Sequence, residues 1–203
     1  RFGIKPLYYF YDKKKNFLYF ASEINSIFTN KEILKELNYK EAFKFFKQGL
    51  VNGTDETFFK NIFQVDKSSY IEFSKKNLIK KKYYLLEKEI DESKDKENLS
   101  FKSYTSELKE KLIKSFEEHN QFDVKCGVHL SGGNDSAILA ALCNYSGKKY
   151  SSYTFDFDDK KYSELEDARK ISDSAGLKNQ SAKLNSNKVK DYIFKIIDRE
   201  HEP

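Results

Sequence analysis

The first part of the chain alternates between short aromatic runs and apolar residues at helical spacing. Residues 7–11 and 17–20 are aromatic-rich runs on either side of a polar stretch, which predicts a β-hairpin. Apolar positions at helical spacing predict helices over residues 22–29 and 38–48. Further runs of aromatic and branched residues predict strands at residues 57–65, at 69–73 and near 82–86.

A charged stretch at residues 87–98 interrupts these patterns. It holds six acidic and three basic residues and a single Ile. A segment of this composition cannot bury itself, so we predict a linker. The linker divides the chain into two regions, residues 1–86 and residues 99–203.

Beyond the predicted linker, helical and strand patterns alternate. Tyr104, Leu108, Leu112 and Phe116 recur at four-residue steps, which is typical of one face of a helix. Strands that alternate with helices imply right-handed crossovers and a parallel sheet, so the predicted fold class of this region is α/β. The predicted strands are residues 124–130 and 152–157, and the predicted helices are residues 136–145, 163–175 and 187–197.

The helix predicted at residues 163–175 carries end signals. Ser163 and Glu166 have the spacing of a capping box, and Gly176 stands where a C-terminal glycine belongs. The two predicted parallel strands would leave the apolar faces of several helices exposed. We therefore expect the isolated chain to aggregate or to remain partly folded.

Composition places the chain among globular proteins. Its 203 residues suffice for one large domain or two small ones, and its 14 Tyr and 18 Phe can bury much apolar area. No apolar run approaches the roughly 20 residues that span a bilayer, so we expect no membrane contact. The chain contains no Met and ends at Glu202-Pro203, from which we expect it to be an internal piece of a longer reading frame.

The net charge of +5 comes mostly from lysines, which are densest at residues 75–82. This run could bind nucleic acid, but no nucleic-acid motif accompanies it, and we favour a solvated edge strand. Cys126 and Cys143 lie in apolar stretches without metal-binding spacing, which predicts buried free thiols and a reducing, cytoplasmic location. The three histidines are far apart in sequence, and none is predicted to be catalytic. His129 lies in the strand just before the loop, where it could be a core residue.

One loop carries candidate chemistry, and it joins the strand predicted at residues 124–130 to the helix predicted at 136–145. Two glycines allow a sharp turn and a close approach of the backbone to an anion. Successive N–H groups at a helix N-terminus bind phosphate with the help of the helix dipole. The Gly-Lys-Ser/Thr ending of a Walker A loop is absent, which argues against ordinary kinases and motor ATPases. The loop reads Ser131-Gly132-Gly133-Asn134-Asp135-Ser136, with Asp135 as a candidate Mg²⁺ ligand.

Together with Leu130, this loop resembles the Leu-Ser-Gly-Gly-x-Asp-Ser loop of the ATP pyrophosphatases. The resemblance implies an adenine nucleotide alpha-hydrolase-like fold and a loop that grips the β- and γ-phosphates of ATP. It also implies that ATP is cleaved between its α- and β-phosphates while a carboxylate is adenylated and then attacked by a nitrogen nucleophile. GMP, NAD and argininosuccinate synthetases share this loop, so the loop alone does not choose a reaction.

The flanking segments resemble glutamine-dependent asparagine synthetases. Each match is short, but the matches follow the family order through nearly the whole chain. They lie at residues 1–9, 20–23, 57–62, 82–84, 122–128, 162–164, 168–170 and 202–203. The resemblance implies that residues 1–86 are the C-terminal part of an Ntn-type, α+β glutaminase domain. It implies that residues 99–203 are the N-terminal half of an ATP-pyrophosphatase domain.

The implied enzyme is a carbon–nitrogen ligase that amidates aspartate with ammonia from glutamine. It would use ATP and Mg²⁺, act on small molecules only and bind no nucleic acid. The full-length protein could form a homodimer. Carried over by position, the ATP-binding residues are Leu130, Ser131, Gly132, Gly133, Asn134, Asp135, Ser136 and Phe157, with Asp135 also as the metal ligand. Phe157, or alternatively Phe155, would lie in the strand whose backbone reads adenine; both could instead be core residues.

No catalytic residue is expected within the chain, and the chain alone is expected to be inactive. The family's glutaminase nucleophile is an N-terminal Cys, and neither Cys126 nor Cys143 can take that role. We expect a Met-Cys start upstream and a second acidic, Mg²⁺-binding loop downstream. Asn134 replaces an apolar family residue and His201 an Asp, so three alternatives stay open. They are an amidotransferase for a sugar acid or β-lactam precursor, a degenerate non-catalytic ATP-binding module, and a basic nucleic-acid-binding protein.

Overall fold

The computed structural model describes residues 1–49, 54–74, 77–93 and 100–200. The chain divides into two compact units. The first unit comprises Arg1–Asp95 and Ile193–Pro203, and the second comprises Lys96–Tyr192. Among the residues in these ranges, no helix is both long and apolar enough to cross a membrane.

The first unit is built on the predicted hairpin. Strands β1 (Tyr8–Asp12) and β2 (Phe17–Ala21) pair antiparallel, and β3 (Ile62–Gln64) pairs antiparallel with the other edge of β1. The side chain of Asp12 closes the turn by accepting hydrogen bonds from the N–H groups of Lys14 (2.9 Å) and Lys15 (3.0 Å). The hairpin prediction is therefore confirmed.

Large apolar side chains form the core of this unit. Helix α2 (Tyr39–Gln48) confirms its prediction and ends at Gly49, whose φ of 66° is left-handed. The helix predicted at residues 22–29 is only a short turn, α1 (Ile24–Ile27). The buried apolar cluster of this unit consists of Tyr8, Ile24, Ile27, Phe28, Ile33 and Ile62.

A second, two-stranded sheet corrects the prediction near residues 82–86. Strand β4 (Ser69–Phe73) lies where predicted, but its partner β5 (Leu78–Lys82) ends where the predicted strand would begin. Helix α3 (Leu86–Ser93) then occupies the first part of the predicted linker, and residues 94–98 lie outside the described residues. The lysines of β5 lie on an edge strand, as the charge pattern indicated, although residues 75 and 76 of that run are not described.

The second unit contains a parallel sheet in the order β6-β7-β8, which confirms the α/β fold class. Its strands are β6 (Gly127–His129), β7 (Ser151–Phe157) and β8 (Lys178–Leu184). Its helices are α4 (Phe101–His119), α5 (Asn134–Tyr145) and α6 (Leu165–Ser174); α7 (Ser186–Glu200) follows β8. The prediction of only two strands is wrong, because the polar sequence of β8 suits an exposed edge strand and shows little apolar pattern.

Helix α6 confirms one end signal and contradicts the other. At its C-terminus, Gly176 has a φ of +64° and donates to the carbonyl of Asp173 (3.1 Å), while Leu177 donates to Ser172 (2.9 Å). These two bonds form a Schellman motif. At the N-terminus the predicted capping box is absent. The hydroxyl of Ser163 instead donates to the carboxylate of Asp156 at 2.6 Å, a stronger acceptor.

The core of the second unit lies between the sheet and helices α5 and α6. Cys143 is buried there as predicted, but Cys126 is exposed, because β6 begins only at Gly127. The structure does not support the alternative of a core position for His129, which is exposed, or for Phe155 and Phe157, which are 47% and 43% exposed. The buried cluster consists of Val128, Leu130, Ala140, Cys143, Tyr150, Ala168, Ala175 and Leu177.

Candidate active site

The glycine-containing loop lies at the carboxyl edge of the parallel sheet. It leaves β6 through Leu130, whose side chain is 1% exposed and whose N–H donates to the carbonyl of Tyr153 at 2.8 Å. This residue therefore anchors the loop in the core, and only its backbone is placed to face a ligand. Ligands of open α/β sheets bind at this edge, beyond the carboxyl ends of the strands.

Helix α5 begins earlier than predicted. Its N-cap is Gly133, so Asn134, Asp135 and Ser136 form the first helical turn and are not part of the preceding loop. The N–H groups of a first turn lack partners within the helix, and the helix dipole places a partial positive charge beside them. Gly133 has no side chain that could cap them. An anion is therefore the natural ligand of this end of α5.

The two loop glycines are needed for space and not for a left-handed backbone. Neither has a positive φ. A Cβ atom added to Gly132 would lie 3.2 Å from the Cβ of Asp167 in α6, and one added to Gly133 would lie 3.3 Å from the Oγ of Ser131. Both distances are tighter than ordinary van der Waals contact. Gly132 thus lets the loop lie directly against the first turn of α6, a contact that the sequence did not predict.

Two half-buried serines close the loop. The Oγ of Ser136 donates to the carbonyl of Ser131 at 2.8 Å and lies 2.9 Å from the carbonyl of Gly133. It also lies 3.1 Å from the Oγ of Ser131, which accepts a long hydrogen bond of 3.4 Å from the N–H of Gly133. These contacts hold both ends of the loop together before any ligand is present.

Asp135 presents an exposed carboxylate beside the loop. It is exposed in the first turn of α5, and within the described ranges its carboxylate has no hydrogen-bond or ion-pair partner. The described residues contain no group of three metal-binding side chains. One carboxylate together with phosphate oxygens and water is a usual coordination for Mg²⁺, so the residue fits this ion.

The structure brings Phe157 to the same edge as the loop. It is the last residue of β7, paired with Leu184 of β8. Phe155, the alternative, lies one pleat earlier, and its ring centroid is 4.8 Å from that of His129. Asn134 stands where the resembled family has an apolar residue. Its side chain is exposed, so this difference disturbs no packing. Asp156 and Ser163, linked by their hydrogen bond, were not predicted as neighbours of this edge.

Comparisons with known proteins find a family match for each of two regions of the chain. The family model for a glutamine amidotransferase domain matches residues 1–84, and the model for asparagine synthase matches residues 107–203. The chain therefore combines an amidotransferase region with a synthase region that holds the loop.

One relative is similar to most of the chain. Over 161 residues, or 76% of this chain, the sequence is 34% identical to asparagine synthetase [glutamine-hydrolyzing] 2 of Bacillus subtilis (strain 168). The chain belongs to the glutamine-hydrolysing asparagine synthetase family. The match spans 21% of the length of that relative.

Proposed function

We propose that the chain is part of a ligase that amidates aspartate with ammonia released from glutamine, at the expense of ATP. The observation that carries the proposal is the loop at residues 131–133. It is held against α6 and followed by the exposed carboxylate of Asp135 at a helix N-terminus. Membership of the family supports the nature of the acceptor and of the nitrogen donor.

In this proposal the loop and the first turn of α5 bind the β- and γ-phosphates of ATP. Their N–H groups stabilise the negative charge that grows on the leaving pyrophosphate. Asp135 would hold Mg²⁺, and the ion would supply positive charge beside the leaving pyrophosphate. The backbone of β7 near Phe157 contacts adenine, which leaves the α-phosphate open to attack.

The bonds then change in two steps. A carboxylate oxygen of aspartate attacks the α-phosphorus, the bond between the α- and β-phosphates breaks, and pyrophosphate leaves. Ammonia attacks the activated carbonyl carbon, and AMP departs with the oxygen that it gained. In this proposal Leu130, Ser131, Gly132, Gly133, Asn134 and Ser136 form the loop and the helical turn that hold ATP; none of them exchanges a proton with the reacting acid.

The location and assembly belong to the same proposal. The free thiols of Cys126 and Cys143 suit a reducing cytosol. The full-length gene product is proposed to form a homodimer and to act on ATP, aspartate and glutamine as small-molecule substrates.

The test is pyrophosphate release from ATP by the full-length gene product. We expect release that depends on aspartate and glutamine, and its loss in Asp135→Ala with ammonia release from glutamine retained. Asp173→Ala, which removes an exposed carboxylate near the other end of α6, is the matched control and should behave as wild type. Release with a sugar acid or β-lactam precursor in place of aspartate would move the proposal to that acceptor. Tight ATP binding without any release would indicate a non-catalytic module.

A further inference from the structure

Ser136 has a bonding arrangement that differs from that of a phosphate ligand. A hydroxyl group has one proton to donate and two lone pairs that accept. The proton of Ser136 is shared between the carbonyl oxygens of Ser131, at 2.8 Å, and Gly133, at 2.9 Å. Its lone pairs would repel a phosphate oxygen. Ser136 could bind phosphate only by giving up these contacts.

Ser131 is in the opposite position. Its Oγ accepts from the N–H of Gly133 and lies 3.1 Å from the Oγ of Ser136. Because the proton of Ser136 already points toward carbonyl oxygens, Ser131 is the donor in the contact between the two hydroxyls. Its proton can turn from Ser136 to an incoming anion while Ser136 keeps both carbonyl contacts. The two serines of the loop therefore differ in what they can offer.

The contacts of Ser136 also fix the direction of backbone donors. A trans peptide unit is planar, and its N–H points away from its C=O. Because the carbonyl of Ser131 faces Ser136, the N–H of Gly132 in the same peptide unit points to the opposite side of the loop. The carbonyl of Gly133 also faces Ser136, so the N–H of Asn134 points away from Ser136 in the same manner.

The second of these two peptide units has additional support. The carbonyl of Gly133 also accepts the first helical hydrogen bond of α5, from the N–H of Ala137 at 3.1 Å. For the carbonyl of Ser131, the hydroxyl of Ser136 is the donor found among the described residues. Loss of the Ser136 hydroxyl should therefore free the peptide group between Ser131 and Gly132. The peptide group between Gly133 and Asn134 should stay in place.

We propose that Ser136 is a positioning residue, which holds the N–H of Gly132 toward the pyrophosphate of ATP, and that Ser131 is the hydroxyl that contacts the phosphate. This inference rests on the proposed function for its ligand, but the orientation of the Gly132 amide is a property of the protein without ligand. The two can therefore be tested separately.

The experiment combines binding and amide exchange on the full-length gene product. Affinity for magnesium pyrophosphate and for Mg-ATP is measured by calorimetry. The hydrogen exchange and ¹⁵N chemical shifts of the Gly132 and Asn134 amides are measured without ligand. The variants are Ser136→Ala, Ser136→Thr and Ser131→Ala.

Ser136→Ala is expected to weaken binding about threefold to tenfold, the effect of one hydrogen bond, and to shift the Gly132 amide more than the Asn134 amide. Ser136→Thr keeps the hydroxyl and should restore both readouts. Ser131→Ala should weaken binding to a similar degree without accelerating the hydrogen exchange of the Gly132 amide in the unliganded protein.

Two results would overturn the inference. The first is weaker binding by Ser136→Ala with an unchanged Gly132 amide, which would make Ser136 a direct ligand. The second is an unchanged amide together with unchanged binding. If the wild-type full-length gene product binds neither nucleotide nor pyrophosphate, the proposed function fails, and the amide measurements still decide whether Ser136 orients Gly132.

Discussion

The two units of the chain bury different kinds of side chain. The first unit fills its core with large apolar residues such as Ile62 and Phe28. The second buries small and polar ones completely: Ala140, Cys143, Ala168, Ser152 and Ser172 are all 0% exposed. Large side chains provide more buried area, whereas small ones let helices approach a sheet closely.

The difference matches what each unit holds in place. In the first unit, the rings of Tyr9 and Phe63 stack at 5.5 Å, and the ammonium of Lys80 lies 5.5 Å and 5.3 Å from their centroids. In the second unit, close packing brings α6 against Gly132 of the loop. The candidate site therefore depends on small residues that let α6 approach the loop. The first unit depends instead on buried apolar area and on the contact between the Lys80 ammonium and two aromatic rings.

The largest expected effect comes from truncating one core residue in each unit. Ile62 and Leu130 are both 1% exposed, so Ile62→Ala and Leu130→Ala should each lower the free energy of unfolding by about 2–5 kcal/mol. Only Leu130→Ala should also weaken Mg-ATP binding, because Leu130 anchors the loop. Urea unfolding and calorimetry measure the two quantities. Equal losses of ATP affinity in both variants would break the comparison.

The buried hydroxyls of the second unit give the next effect. The Oγ of Ser172 contacts the carbonyl of Leu177 and the Oγ of Ser152, both at 2.9 Å, and the amide of Asn179 donates to Ser152 at 3.1 Å. Ser172→Ala leaves buried polar atoms without partners and should cost about 1–3 kcal/mol of unfolding free energy. Ser174→Ala, on the exposed side of the same helix, is the control and should cost less than about 0.5 kcal/mol. Equal costs would mean that the network contributes nothing.

Sequence predicted those elements whose apolar pattern is strong. The hairpin, α2, α4 and β7 were found in this way, and the left-handed Gly176 was read from its position after α6. Strand β8 was missed because its polar residues lie at a sheet edge, where neighbours and not periodicity define the strand. The predicted capping box is absent because the hydroxyl of Ser163 donates its hydrogen bond to the carboxylate of Asp156, seven residues earlier in the chain.

At the site, sequence supplied the residues but not their relations. The order of strand, loop and helix was enough to place Asp135 at a helix N-terminus. The approach of Asp167 to Gly132 depends on how α6 packs, and the contacts of Ser136 depend on the fold of the loop. Such distances arise from tertiary structure, and a single sequence carries no signal for them. The ATP- and Mg²⁺-binding roles themselves stay predictions.

A smaller effect separates the two loop glycines. In Gly132→Ala the new methyl group would meet the Cβ of Asp167, which belongs to a helix and can move only with it. In Gly133→Ala it would meet the hydroxyl of Ser131, which can rotate. For Gly132→Ala we expect overpacking of about 1 kcal/mol, which corresponds to roughly a fivefold loss of Mg-ATP affinity. For Gly133→Ala we expect a loss of binding free energy less than half as large. A larger loss in Gly133→Ala would show that the contact with α6 does not position the loop.

The smallest expected change in the free energy of unfolding concerns the two cysteine thiols. Burial raises the pKa of the Cys143 thiol to about 11, so this group stays protonated at pH 8, whereas Cys126 is exposed. Only the thiolate reacts with a disulfide reagent. We expect one rapidly reacting thiol per native chain at pH 8 and two per chain in denaturant. Cys126→Ser should change the free energy of unfolding by less than about 0.5 kcal/mol.

The direction of the pH dependence follows from the raised pKa. The thiolate fraction of native Cys143 rises through pH 11, so its labelling by a thiol reagent should stay slow until the pH approaches that value or the second unit opens. In Cys126→Ser the rapid phase should disappear, and the remaining slow phase should follow the unfolding of the small-residue core. A thiol that still reacts rapidly in Cys126→Ser would place Cys143 within reach of solvent. The close packing that we contrast with the aromatic core of the first unit would then be looser than the structure shows.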